Sequence, residues 1–205
     1  MKHSEIIRDL HIDYSEKNTS REGEVEFIVQ HCLDYVRVRF RGTEGSRLIS
    51  GLGILDVFRD LRIWPWRDDR IQGWVYAGIL KGASMVVDRR LIKELARDKP
   101  IRMEGHSMGG AMAQVAHALM LAEGFPVVGS VVFGCPKVFS DPPDLPGAIH
   151  YRNGSDPVTQ LPLSLPFINY KHAGEFRQIG SPGRWWSVRD HSCQSYHQAL
   201  RDIGC

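Results

Sequence analysis

The stretch Pro100-Ile101-Arg102-Met103-Glu104-Gly105-His106-Ser107-Met108-Gly109-Gly110 constrains this chain more than any other. It has the form G-x-S-x-G, with apolar, β-like residues before it and a long apolar helical pattern after it. The chain here reads as a strand that enters a very tight turn and leaves as a helix. Small residues at 105 and 109 let strand and helix approach closely, so Ser107 can occupy a strained turn with its hydroxyl exposed. The same pentapeptide occurs in ordinary Gly-rich turns. Here both flanks fit a nucleophile, and that is how Ser107 is read.

The 205 residues suit one domain, taken as residues 1–205, with room for a sizeable core. A composition 42% hydrophobic and 24% charged excludes a disordered tail protein. The formal net charge is +2 and the charges are interleaved, which argues against a nucleic-acid partner. Cys32, Cys135, Cys193 and Cys205 form no C-x-x-C pair, so reduced thiols are expected. The first residues carry acids and no long apolar core, unlike a secretory leader, and no run is long enough to span a membrane. A cytoplasmic location is the expectation, a leader already removed being the alternative.

Along the chain, Ile6, Ile7 and Leu10 suggest a short first helix, and residues 25–29 and 35–40 two strands. The second strand alternates apolar residues with Arg37 and Arg39, as a strand with one solvated face would. Ile54, Leu55, Phe58 and Leu61 recur at helical spacing, and Ile63-Trp64-Pro65-Trp66 closes that piece. A surface helix and a mobile cover over a pocket both fit it. Residues 77–97 read as one helix with Leu80, Ala83, Val87, Leu91 and Leu95 on its buried face. After Ser107 comes a helix through Ala122, then the continuous apolar run 127–133, a strand buried on both faces. Strands at 149–152 and 176–179 and a C-terminal helix carrying Tyr196, Ala199, Leu200 and Ile203 complete the reading. Alternating strands and helices imply an α/β fold: a mainly parallel sheet covered on both faces, with its ligand site at the carboxyl ends of the strands.

A serine hydroxyl is a weak nucleophile at neutral pH and needs a base, itself oriented by an acid. Around such an elbow the chain order is serine, acid, histidine, which restricts the base to His117, His150, His172, His191 or His197. His117 lies almost three turns along the following helix and points away, and His150 lies within a strand. His191, on a loop just ahead of the last helix, is the preferred base over His172 and His197. For the acid, Asp156 follows a predicted strand, while Asp190 beside His191 reads as a helix N-cap. The oxyanion needs preorganised N–H donors, assigned to Met108 and to the Gly42-Thr43 loop, where Thr43 can add its hydroxyl.

Several segments together resemble the class 3 lipase family, the α/β-hydrolases that include the filamentous-fungal triacylglycerol lipases. They are Phe40-Arg41-Gly42-Thr43, Trp74-Val75-Tyr76-Ala77-Gly78, Gly105-His106-Ser107-Met108-Gly109-Gly110-Ala111, Phe133-Gly134-Cys135-Pro136-Lys137-Val138, Tyr151-Arg152-Asn153-Gly154-Ser155-Asp156-Pro157-Val158, His172-Ala173-Gly174-Glu175 and Asp190-His191. The resemblance implies an α/β-hydrolase fold, nucleophile Ser107, acid Asp156, base His191 and oxyanion donors at Thr43 and Met108. It also implies a structural H-x-G element at His172 and a lid in the amphipathic segment, residues 50–67. The chain departs from the family at Tyr76, where histidine is usual, and at Ile79, where an aromatic is usual. It is also short for the family and lacks the leader and disulfides of the fungal enzymes.

The expected activity is cleavage of carboxylic esters of acyl lipids or similar apolar esters, through an acyl-enzyme. Trp64, Trp66 and His106 are candidate substrate contacts, with Trp185 and Trp186 completing an apolar rim. Acyl transfer or thioester cleavage would use the same triad, and a non-catalytic binding protein on this fold is the reading of another class. Transient contact with a lipid interface fits the apolar rim. No cofactor is called for, and no metal either, since no H-E-x-x-H or similar spacing occurs.

Overall fold

The computed structural model describes residues 2–13, 20–22, 25–42, 64–162 and 168–205. Their strands are β1 (Ser20–Glu22), β2 (Val25–His31), β3 (Val36–Phe40), β4 (Pro65–Asp68), β5 (Ile71–Tyr76), β6 (Ile101–His106), β7 (Val127–Phe133), β8 (Ile149–Asn153) and β9 (Glu175–Ile179). The helices are α1 (His3–Asp13), α2 (Ala77–Val87), α3 (Arg90–Asp98), α4 (Met108–Ala122) and α5 (Cys193–Asp202). The main sheet has the order β1-β2-β3-β6-β7-β8-β9, while β4 and β5 form a separate antiparallel pair. From β3 to β9 every pairing is parallel, so five strands deliver their carboxyl ends to one edge.

The period-2 alternation of the strands divides the core into two layers. Val38, Phe40, Ile101, Met103 and Val132 face α2, α3 and α4, joined there by residues such as Ala83, Ile92 and Leu119. Val131, Phe133, Tyr151 and Ile179 face the other way, against Ile6, Ile7 and Leu10 of α1 and Tyr196 and Leu200 of α5. α4 is buried almost all round from Gly109 to Met120, rather than along a single stripe.

Three sequence expectations are corrected. β3 has no solvated face: Arg37 and Arg39 are 2% and 7% exposed. On that face Arg37 makes a forked contact with Glu104, Nη2 to Oε2 at 2.9 Å, and Glu104 is fully buried. Gln30 accepts from Arg37 at 3.1 Å, and Asp9 of α1 stands 3.8 Å from Arg37 and 3.9 Å from Arg39. Arginines at alternate positions looked like a wet face because alternation carries no information about a buried partner 67 residues away.

The helix expected over 77–97 is broken at Asp88-Arg89, where Arg89 turns extended. The break shifts the helical phase by one residue. Ile92 and Ala96 are therefore buried in place of Leu91, which is 53% exposed, and Leu95. Trp64 leads into β4, which holds Pro65 and Trp66 and whose register with β5 turns at Asp69-Arg70. Ile203 lies past the end of α5 and is exposed. All four cysteines are free thiols. The amphipathic segment 54–62, and with it the lid candidate up to residue 63, lies outside the described residues, as does Thr43.

The ion pair yields a test of how this sheet face is held. Glu104→Ala leaves the Arg37 guanidinium buried without its carboxylate, and the expected loss on denaturant unfolding is about 3–5 kcal/mol. Arg90→Ala, which removes an exposed pair with Glu94, should leave the unfolding midpoint almost unchanged. Equal, small effects from both would contradict a structural role for the buried pair.

Candidate active site

Ser107 sits between β6 and α4 at φ 56°, ψ −125°, the only non-glycine residue with positive φ among those described. Such a conformation costs about 1–3 kcal/mol and persists only where the surroundings enforce it. Here its amide donates to the Phe133 carbonyl at 2.9 Å, tying the turn to β7. The two bracketing glycines are required by contact. A Cβ on Gly105 would lie 2.3 Å from the Gly109 carbonyl oxygen, and one on Gly109 would lie 2.3 Å from that of Phe40. Backbone thus packs directly on backbone, and β3, β6 and α4 meet at the serine.

Asp156 and His191 lie beyond the carboxyl ends of neighbouring strands, β8 and β9. Asp156 follows β8 through the turn Gly154-Ser155, and His191 ends a 3-10 turn, Val188–His191, that precedes α5. His191 Nε2 lies 2.9 Å from Ser107 Oγ, and His191 Nδ1 lies 2.9 Å from Asp156 Oδ2. Because a carboxylate only accepts, Nδ1 carries the proton and Nε2 faces the hydroxyl with a free lone pair. All three side chains are buried.

Three donors satisfy the Asp156 carboxylate: His191, the Val158 amide to Oδ1 at 2.9 Å, and the Tyr196 hydroxyl to Oδ2 at 2.7 Å. Burial and the adjacent carboxylate push the Tyr196 phenol well above its ordinary value, so it remains a donor. The sequence reading took Tyr196 as part of an apolar helix face. Its ring does pack there, and nothing in the helical spacing indicates where its hydroxyl reaches.

Nothing in the sequence around Phe133-Gly134-Cys135-Pro136 signals the constraint on Gly134. At φ +58° it lies against Asp156 and His191, where a Cβ would come within 2.9 Å of both Asp156 Oδ2 and the His191 ring. His106 is not positioned as a substrate contact by its bonding. Its Nε2–H donates to the His191 carbonyl at 2.7 Å, and its ring lies 4.6 Å from that of His191, centroid to centroid. Burial, followed by the nearness of His191, lowers its pKa to about 3, so it braces the base as a neutral ring.

Asp190 neither bonds the His191 ring nor caps α5. Its Oδ2 accepts from the Ser155 amide at 2.8 Å, binding the base's loop to the acid's turn, while Ser192 caps α5 through the Ser195 amide. Of the rival bases, His117 bonds Ser130 at 3.1 Å, and His172 donates to the Thr159 carbonyl at 2.8 Å. His150 is buried against His172, with ring centroids 4.1 Å apart, and neither of its ring nitrogens has a partner among the described residues. Tyr76, at the family's usual histidine position, stacks on Tyr170 at 4.2 Å. Trp64, Trp66, Trp185 and Trp186 are 59–77% exposed and pack into neither core layer.

Met108 heads the 15-residue α4, so its N–H has no intrahelical acceptor and points from the positive end of the helix dipole. That placement suits an oxyanion donor. A buried hydroxyl bonded to an oriented imidazole, beside such a donor, can attack a carbonyl and hold the charge that develops.

Residues 38–165 match the family model described as lipase (class 3). Among solved structures, the chain is similar to the Rhizomucor miehei triacylglyceride lipase at 22% identity and a TM-score of 0.60, over 83% of this chain and 69% of that one. It is similar to a Penicillium expansum triacylglycerol lipase at 17% identity and a TM-score of 0.60, over 88% and 78%. It is also similar to the Yarrowia lipolytica Lip2 lipase at 18% identity and a TM-score of 0.53, over 81% and 69%. No curated protein matches the sequence.

Two predictions follow from the packing around the triad. Gly134→Ala should lower ester turnover about a hundredfold by displacing the base and acid, with the mutant still folded by circular dichroism. Unchanged turnover would contradict the close approach. The second concerns acid. His117 and His172 are lowered by burial from 6.5 to about 4. Between those values an unfolded chain binds protons that the buried rings refuse, so stability falls as pH drops from about 6.5 to about 4. Thermal midpoints measured across that window should decline steadily, and a flat profile would contradict the burial of neutral rings.

Proposed function

The chain belongs to the class 3 lipase family of α/β-hydrolases and is a carboxylic ester hydrolase; from that premise we propose that it cleaves acyl-lipid or similar apolar esters by a Ser107–His191–Asp156 triad through an acyl-enzyme. The observation that carries this reading is the unbroken chain of two 2.9 Å contacts, Ser107 Oγ to His191 Nε2 and His191 Nδ1 to Asp156 Oδ2.

In this mechanism Ser107 Oγ attacks the ester carbonyl carbon while its proton passes to His191 Nε2. The imidazolium is stabilised by Asp156, whose position Tyr196 and the Val158 amide hold. The carbonyl oxygen becomes the oxyanion and takes the Met108 N–H, with Thr43 proposed as the second donor. Loss of one such donor typically costs about 10²–10³ in turnover. Collapse breaks the ester bond, His191 returns the proton to the leaving alkoxide, and the acyl group remains on Ser107. Water then enters by the same route in reverse and releases the acid.

The burial of Ser107 and His191, 4% and 2% exposed, favours an apolar ester over a charged one. A charged group would have to be desolvated to reach the hydroxyl. The lid candidate, residues 50–67, belongs to this proposal from the sequence pattern alone, its last residues, 65–67, lying in β4.

Hydrolysis of p-nitrophenyl esters of graded chain length tests the reading. Ser107→Ala should lose activity by at least about 10⁴-fold. His191→Ala should fall comparably, and His197→Ala should remain near wild type. Full activity in Ser107→Ala, or loss confined to His197→Ala, would overturn the assignment.

A further inference from the structure

The loop between β9 and the base carries a pair of large apolar side chains that the fold does not use. Residues 180–186 are all exposed, with Trp185 at 77% and Trp186 at 62%. Two indole rings left in water are a cost that an isolated chain has no reason to bear, and adjacent aromatic rings with a polar edge are the side chains that settle at lipid–water interfaces.

The loop is held out by the structure and is stitched to the catalytic turn. Ser155 Oγ donates to the Gly183 carbonyl at 3.1 Å, and the Ser187 amide donates to the Ser155 carbonyl at 3.2 Å. Gln178 Nε2 donates to the Gly154 carbonyl at 3.0 Å. Ser155 adjoins Asp156, and the loop runs on directly to His191. The tryptophans are therefore fixed at the carboxyl edge of the sheet, the edge at which Ser107 lies.

Charge distinguishes this loop from the other exposed tryptophans. Between Phe176 and Arg189 there is no acid, and the segment contains Arg177, Arg184 and Arg189. Arg177 is paired with Glu175, whereas Arg184 lies over the Trp185 ring at 5.6 Å and Arg189 makes no ion pair among the described residues. Trp64 and Trp66, by contrast, lead into Asp68-Asp69, and the nearby Arg67 is stacked on Trp74 at 4.2 Å.

We propose that the loop 180–187 is a docking element for a lipid surface with anionic headgroups, Trp185 and Trp186 entering the interface while Arg184 and Arg189 meet the headgroup charge. This deepens the lipase reading of the triad and rests on it for its purpose. It places the contact on the loop that leads to His191. Docking here sets the sheet edge that carries Ser107 against the lipid, so an ester leaving the surface meets the nucleophile without crossing bulk water.

The test uses the full chain with Ser107→Ala, which leaves vesicles intact, in flotation with phosphatidylcholine vesicles with or without phosphatidylglycerol. The chain should bind the phosphatidylglycerol vesicles more tightly, and Trp185→Ala with Trp186→Ala should weaken that binding about tenfold for each ring. Arg184→Gln with Arg189→Gln should abolish the preference for phosphatidylglycerol. With Ser107 intact, the double tryptophan variant should retain the wild-type rate on a dissolved p-nitrophenyl acetate. Vesicle binding undiminished by the tryptophan changes, or no preference for phosphatidylglycerol, overturns the proposal. So does an equal loss of binding and of dissolved-ester turnover, which would assign the rings to the site itself. Absence of ester turnover in the wild type, with binding as expected, would instead contradict the hydrolase reading.

Discussion

The Asp156 carboxylate is closed off from water, and everything at this site depends on how it is satisfied. A buried anion is expensive unless donors surround it, and the three donors here come from three parts of the chain. Val158 belongs to the acid's own turn, Tyr196 to the C-terminal helix, and His191 to the loop between the last strand and that helix. Orienting the base is therefore the same event as docking α5 on the sheet. α1 supports that docking from the other side, because Ile6, Ile7 and Leu10 share a core layer with Tyr196 and Leu200.

The nucleophile depends on a second constraint, the contact of bare backbone among β3, β6 and α4. With no Cβ at 105 or 109, the turn can hold Ser107 at positive φ while the Phe133 carbonyl takes its amide. The same approach brings the end of β3, with Arg41 and Gly42, against the N-terminus of α4. Ser107, the Met108 amide and the end of β3 are thereby positioned by one packing contact. His191 and Asp156 are positioned by another, at Gly134 and the Asp190–Ser155 bond. The site joins two separately braced halves across the 2.9 Å contact between Ser107 and His191.

The parts legible in the sequence were those written in local pattern. The elbow announces itself through spacing, and the parallel strands through apolar runs and intervening helices. The expectation that Asp156 and His191 meet Ser107 rested on their loops after strand ends, and the three side chains do lie in contact. What escaped was long-range or fine-grained. Arg37 looked solvated because its partner Glu104 lies on another strand, and Tyr196 looked apolar because its ring is. The shift from Leu91 to Ile92 followed from one extended residue, Arg89, which no periodicity reveals. The β4–β5 pair hid behind Trp64-Pro65-Trp66, where two large apolar residues near a proline read equally well as a helix end.

The central claim is that Ser107 is a nucleophile activated by His191, and covalent capture tests it most directly. An alkyl p-nitrophenyl phosphonate loses p-nitrophenolate as its phosphorus bonds to an activated serine. Intact-mass and peptide analysis should find one adduct per chain, on the peptide bearing Ser107, formed far more slowly when His191 is replaced by alanine. No adduct, an adduct elsewhere, or labelling at the same rate without His191 would contradict the account.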